Sequence, residues 1–175
     1  MRETSEPPRP RLSLIHQREV EAKIVGPLIR AFAAEIGDER ALTIVRAVIS
    51  DLARNSGADL AASLGDASLD AFATALDRWK EGNALEIDVL ESSAERLSFN
   101  VTRCRYAEMY RSLGVADLGA SLSCQRDFAL IEGFNTEISL ERTQTLMEGA
   151  SHCDFRFQAK TPPPNPAQVD QPKDR

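Results

Sequence analysis

The stretch ALEIDVLESSAERLSFNVT, residues 84–102, decides the fold. Leu85, Ile87 and Val89 alternate with Glu86 and Asp88, the two-residue period of a half-buried strand. Leu97, Phe99 and Val101 alternate in the same way with Ser98, Asn100 and Thr102. Ser92-Ser93-Ala94-Glu95 supplies a short polar turn between them, so the two runs form an antiparallel hairpin.

Upstream of this hairpin the period is helical. Ile15, Val20, Ile24, Leu28, Ile29 and Phe32 follow one helical face, with a kink or break expected at Gly26-Pro27 because proline removes a backbone donor. Asp38 is a cap candidate for a second helix with Leu42, Val45, Val48, Ile49 and Leu52 on one face and Gly57 as its stop. Asp66 or Ser68 caps a third, carrying Leu69, Phe72, Leu76 and Trp79 and closed by Gly82. These stripes read as core.

Downstream, helices are expected over about 104–113 and 116–131, ended by Gly114 and Gly133. Ile138 to Met147 reads as a third strand and Cys153 to Lys160 as a fourth, with Cys153, Phe155 and Phe157 on one side. The expected fold is α+β: N-terminal helices followed by a four-stranded antiparallel sheet in the order ββ-αα-ββ, packed with helices. Residues 13–160 form one domain, flanked by disordered tails at 1–12 and 161–175, the second rich in proline.

The composition excludes several function classes. The 175 residues carry 21 Lys and Arg against 27 Asp and Glu, a net charge of −6 with no basic stripe, so nucleic acid is not an expected partner. No run of about 18 apolar residues exists, so no membrane span is expected. Met1 to Pro10 lacks the apolar core of a secretory signal, which makes the cytoplasm the expected compartment, with thiols reduced. There is no Gly-rich phosphate loop, no nucleophile elbow and no H-E-x-x-H. The apolar N-terminal helices suit a homo-oligomer interface and an ordinary core equally well.

All three cysteines fall within fifty residues, each near a carboxylate. Cys104 and Glu108 are one helical turn apart, as are Cys124 and Asp127, and Cys153 directly precedes Asp154. Cys104 lies where a strand becomes a helix, between Arg103 and Arg105, and both features stabilise a thiolate. Cys153 runs in line with Phe155 and Phe157, which favours burial. The same thiols, with His152, make a divalent metal possible, although gaps of twenty and twenty-nine residues differ from closely paired zinc ligands. Arg103, Arg105, Arg142 and Arg156 are candidates for a carboxylate clamp.

The run Phe99-Asn100-Val101-Thr102-Arg103-Cys104-Arg105-Tyr106-Ala107-Glu108-Met109-Tyr110 resembles the signature of the L-2-amino-thiazoline-4-carboxylic acid hydrolase family. Leu122-Ser123-Cys124-Gln125-Arg126-Asp127, Arg142-Thr143-Gln144-Thr145 and Gly149-Ala150-Ser151-His152-Cys153-Asp154-Phe155 are similar to its later blocks. The resemblance spans about residues 15–160. It implies opening of a small cyclic amidine-type ring by water, giving N-carbamoyl-L-cysteine on a bacterial route to cysteine. Such a reaction needs a nucleophile, a proton donor for the leaving sulfur and a grip on a carboxylate. The catalytic candidates are Cys104, Cys124, Cys153, Asp127, Asp154 and Glu108. Asn100, Arg103, Tyr106 and His152 are candidates for holding the substrate. The alternative is a non-catalytic module that binds a small ligand or metal through the same cysteines.

Overall fold

The computed structural model describes residues 12–160; the two expected tails lie outside these residues apart from Leu12. Three helices lead: α1 (Leu14–Ile36), α2 (Asp38–Leu64) and α3 (Leu69–Lys80). The hairpin β1 (Leu85–Ser92) and β2 (Arg96–Cys104) follows, then α4 (Arg105–Ser112), α5 (Ala116–Gly119), a π-helical turn (Ala120–Cys124) and α6 (Gln125–Phe134). Strands β3 (Ile138–Glu141) and β4 (Cys153–Ala159) close the chain.

The four strands form one antiparallel sheet in the order β1-β2-β4-β3. The hairpin turn is held by Ser93, whose backbone N–H donates to the Arg96 carbonyl at 2.8 Å. Register places Leu97 opposite Phe157, Phe99 opposite Phe155 and Val101 opposite Cys153. Strand alternation therefore puts these six residues on one buried face, where α3 and α6 cover them with Leu69, Phe72, Ile131 and Phe134. Phe99 and Phe155 stack at 4.9 Å, and Phe72 meets Phe157 at 5.0 Å. A second buried cluster joins Ala22, Ile29 and Ile49 to Ala107, Tyr110, Leu118, Leu122 and Met147. Cys104 packs against both clusters, so it stands at the seam between them.

Four local expectations are corrected. Pro27 lies inside α1 without breaking it, and the helix continues to Ile36. The helix loses one backbone donor there, but Gly26 and Ile29 are buried on either side, and tertiary packing holds the segment helical. Gly57 does not stop α2; it is buried in mid-helix, where α2 crosses α6 so closely that an added Cβ would strike the Leu130 carbonyl oxygen. The residue at the N-cap of α2 is Gly37, and Asp38 instead places its charge in the first turn. β3 ends at Glu141 because Arg142 turns away from the sheet to buried partners, and residues up to Met147 include only a short 3-10 turn. Ser68 does cap α3, its hydroxyl accepting from the Ala71 N–H at 3.1 Å.

Candidate active site

A cavity of about 410 Å3 opens where the two buried clusters meet. Cys104, Cys124 and Cys153 all line it, together with Asp127, Arg142 and Tyr106. Helices α1 and α3 add Arg18, Glu21 and Arg78. The thiols come from three elements. Cys104 ends β2 and caps α4, its sulfur accepting from the Ala107 N–H at 3.5 Å. Cys153 opens β4, and its sulfur accepts from the Leu146 N–H at 3.2 Å. Cys124 closes the π-helical turn, and its sulfur accepts no hydrogen bond among the described residues.

Burial dominates the titration of these groups. It pushes the Cys104 thiol up to about 11, against the pull of the Ala107 N–H. It raises Cys124 further, with the nearby Asp127 charge acting in the same direction. Cys153 is raised as well, again chiefly by burial. Cys104 and Cys124 each feel at least one other thiol, and all three cysteines feel Asp127, which links the four groups electrostatically. All three cysteines are free thiols. A helix start and flanking arginines would favour a thiolate at Cys104, but loss of water outweighs both.

Asp127 and Arg142 form the charged centre. Arg142 donates through Nη1 to Asp127 Oδ2 and through Nη2 to the Cys124 carbonyl at 3.0 Å. Its side chain is only 5% exposed, with the guanidinium lying 4.9 Å from the Phe128 ring and 5.0 Å from the Phe155 ring. Two aromatic faces and two acceptors hold it in one orientation. Burial raises the Asp127 carboxyl above its ordinary value, while Arg142 opposes that shift.

The rest of the wall is largely apolar, and its remaining charged groups are mostly cationic. Glu21 accepts from Arg18 at 2.6 Å and from Arg126 at 2.8 Å, making a bridge. Arg78 differs: its buried Nε has no hydrogen-bond partner. Four arginines (Arg18, Arg78, Arg126 and Arg142) thus face two carboxylates, Glu21 and Asp127, in the lining. A cavity with this balance attracts an anion. Tyr106 completes the wall, its hydroxyl donating to the Trp79 carbonyl at 3.4 Å; burial raises its phenol strongly.

Other sequence candidates lie off this cavity. Arg103 and Glu108 pair with each other at 2.9 Å on the surface, because α4 turns Glu108 away from Cys104. Asn100 and Asp154 are register partners on the opposite face of the sheet from Phe99 and Cys153. Asn100 accepts from Arg156 at 2.9 Å. Asp154 accepts from the Thr143 hydroxyl at 2.6 Å and the Gln144 N–H at 2.9 Å. Burial acts to raise its carboxyl, yet these donors leave it below its ordinary value. His152 is held by Gln144 and Ser151, each at 3.0 Å. Arg105 donates to the Gly82 carbonyl at 2.5 Å. No group of three or more His, Cys, Asp and Glu side chains is arranged to hold a metal ion among the described residues. Nor is any described helix long and apolar enough to cross a membrane.

Arg18, Glu21, Arg78 and Arg126 escape a sequence reading because charged residues on amphipathic helices ordinarily face water. The available signal is position: Arg78 lies one turn beyond buried Ala75, and Arg126 one turn beyond buried Leu122.

The fold and cavity define an α+β domain with a thiol-lined site in which arginines outnumber carboxylates. Residues 17–157 match the family model for L-2-amino-thiazoline-4-carboxylic acid hydrolase, and the chain belongs to that family. No curated protein matches the chain. Among solved structures it is similar to a trafficking protein particle complex subunit 3 from Naegleria fowleri covalently bound to palmitic acid. That likeness has TM-score 0.51 and 11% identity over 83% of this chain and 96% of that one. It is also similar to the phenol-responsive sensory domain of the transcription activator PoxR with phenol, at TM-score 0.47 and 12% identity over 79% of this chain and 74% of that one. At such identities the first likeness describes the fold alone.

Proposed function

We propose that the chain is a hydrolase that opens L-2-amino-thiazoline-4-carboxylate to N-carbamoyl-L-cysteine in the cavity between the two buried clusters. The observation that carries this reading is the convergence of three thiols, the Asp127–Arg142 pair and an excess of arginine on one cavity. The substrate has matching needs. Its carboxylate takes the Arg78 guanidinium, whose Nε has no partner, and its amidine carbon meets the thiols.

Cys124 is the nucleophile in this proposal, because its sulfur is unengaged and Asp127 lies one helical turn beyond it. A carboxylate with a raised pKa is a stronger base than a solvated one. Asp127 takes the thiol proton as the sulfur adds to C2. The ring C–S bond then breaks, and the proton passes to the leaving ring sulfur. Water adds to the resulting isothiourea, the bond from Cys124 to that carbon breaks, and the proton returns to Cys124. The product keeps both nitrogens and gains one oxygen as a ureido group. Arg142 positions Asp127 rather than touching substrate.

The test is a ring-opening assay with 2-aminothiazoline-4-carboxylate. Cys124→Ser and Asp127→Asn should each lose about 100-fold or more in kcat, the scale of positioned acid–base and nucleophilic groups. A wild-type chain without turnover breaks the substrate assignment. Unchanged activity in folded Cys124→Ser breaks the mechanism. A second reading, a non-catalytic small-ligand module, is favoured by one feature, that burial raises all three thiols above the ordinary cysteine value and so away from the reactive thiolate. It is distinguished by saturable binding of the same compound with no product formed.

A further inference from the structure

We infer that the outer face of the α1–α2 pair is a homodimer interface, seated on a second copy of this chain. On α1, Val20, Ile24, Leu28, Phe32 and Ile36 recur every four residues. On α2, Ile44, Val48 and Leu52 do the same. All eight are between 41% and 60% exposed, an unusual density of large apolar side chains on one face. A groove of about 490 Å3 runs between the two helices, and its lining is apolar except for Glu21, Arg126 and the Tyr110 hydroxyl.

Area, self-complementarity and the remaining sequence each point to a second copy. The eight side chains leave roughly 700 Å2 in water, above the ~300–600 Å2 of the largest patch on an ordinary monomer. That is close to the ~800 Å2 each partner gives to a standard interface. Residues spaced by four form the ridges that pack into grooves of a like helix. The α1 ridge is symmetric about Leu28, so a two-fold axis there sets Val20 against Ile36 and Ile24 against Phe32 of the other copy. Such a match is what a self-complementary face requires. Residues 1–11 and 161–175 do not suit the role: their large apolar residues are Met1 and Val169 alone, with no stripe to fill a groove. The groove shares Glu21, Leu52 and Arg126 with the thiol cavity, so the second copy lies against one wall of that site. The inference does not depend on the ring-opening chemistry.

Sedimentation equilibrium of the full chain, from about 1 to 100 μM, is the test. The expected result is a species of twice 19.3 kDa. The Ile24→Glu/Phe32→Glu double variant should raise the dissociation constant about 100-fold or more while keeping its far-UV helical signal. Should that variant lose helix, Leu28→Gln carries the same test at the predicted axis. Val89→Glu, on the exposed edge strand β1, should leave the dimer intact. A monomeric wild type overturns the inference. So does a dimer that survives the α1 changes or is dissolved by Val89→Glu.

Discussion

Gly57→Ala tests the crossing that holds one wall of the cavity. In an ordinary helix interior this change stabilises by about 1 kcal/mol, because alanine is the better helix former and glycine loses more entropy on folding. At Gly57 the structure reverses the sign. An added Cβ would collide with the Leu130 carbonyl oxygen and stand 2.7 Å from the Phe134 nitrogen and 3.0 Å from the Gly133 carbonyl carbon. These are backbone atoms and cannot rotate aside, so α2 and α6 must move apart. Overpacking of this kind costs about 1–3 kcal/mol, and parting two backbones lies at or beyond the upper end. Subtracting the propensity gain leaves a net loss of roughly 2 kcal/mol or more. For a chain of this size that corresponds to a fall of roughly 4–8 °C or more in Tm, with a matching fall in the urea midpoint. Gly133→Ala meets the Arg54 backbone and should behave alike. The double variant should cost less than the sum, since the first change has already parted the helices. A rise in Tm or midpoint for Gly57→Ala refutes the close crossing. Because α6 carries Asp127 and α2 carries Leu52, Ser56 and Leu60 of the cavity, the folded variant should also lose turnover.

Arg142→Met leaves the Asp127 carboxyl buried without its cation and should cost about 3–5 kcal/mol by urea denaturation, with Asp127→Asn/Arg142→Met recovering part of the loss. Stability should fall at alkaline pH. Folded thiols hold their protons more tightly than unfolded ones, so their contribution is intact below about pH 9 and declines as pH rises through 11. That is about 1 kcal/mol at pH 10 for Cys104 alone. Urea midpoints at pH 8 and pH 10 check this, and Cys104→Ala should show a smaller difference than wild type. Iodoacetamide at pH 7.5 should label all three cysteines at least about tenfold more slowly than a solvated thiol. A fast-reacting cysteine contradicts the burial argument.

Much of the fold is legible because its signals are local. The alternation at Leu97, Phe99 and Val101 and at Cys153, Phe155 and Phe157 specifies two strands and the face they bury. The Ser68 cap and the stripe of Leu69, Phe72 and Leu76 specify α3. Features that depend on a distant partner are not legible. Gly57 has the form of a helix stop, and only the approach of Gly133, seventy-six positions later, explains it. Arg142 belongs to an apparent strand until Asp127 and two aromatic rings draw it inward. At the site, the pairing of Cys124 with Asp127 follows from helical spacing, and both line the cavity. Arg78 and Arg126 come from helices whose charges read as solvated. Glu108 fails the same spacing argument because Cys104 is a cap, not yet part of the helix, and its neighbours turn away.

The π-helical turn at Ala120–Cys124 sets the phase of everything after it. Each residue of a regular helix advances about 100° around its axis. A wide turn therefore acts as a one-residue insertion that α5 and α6 absorb without breaking. Leu118 ahead of it and Leu122 within it belong to one buried cluster; beyond it, Ile131 and Phe134 belong to the other. Length is thus a chemical variable in this segment. Deleting one residue between Ala120 and Cys124 would restore regular winding, preserve every downstream side chain in identity, and swing Arg126, Asp127 and Leu130 about a quarter turn off the cavity. Relatives that differ here by a single-residue gap would keep the letters of the cysteine–aspartate block while losing the site those letters describe.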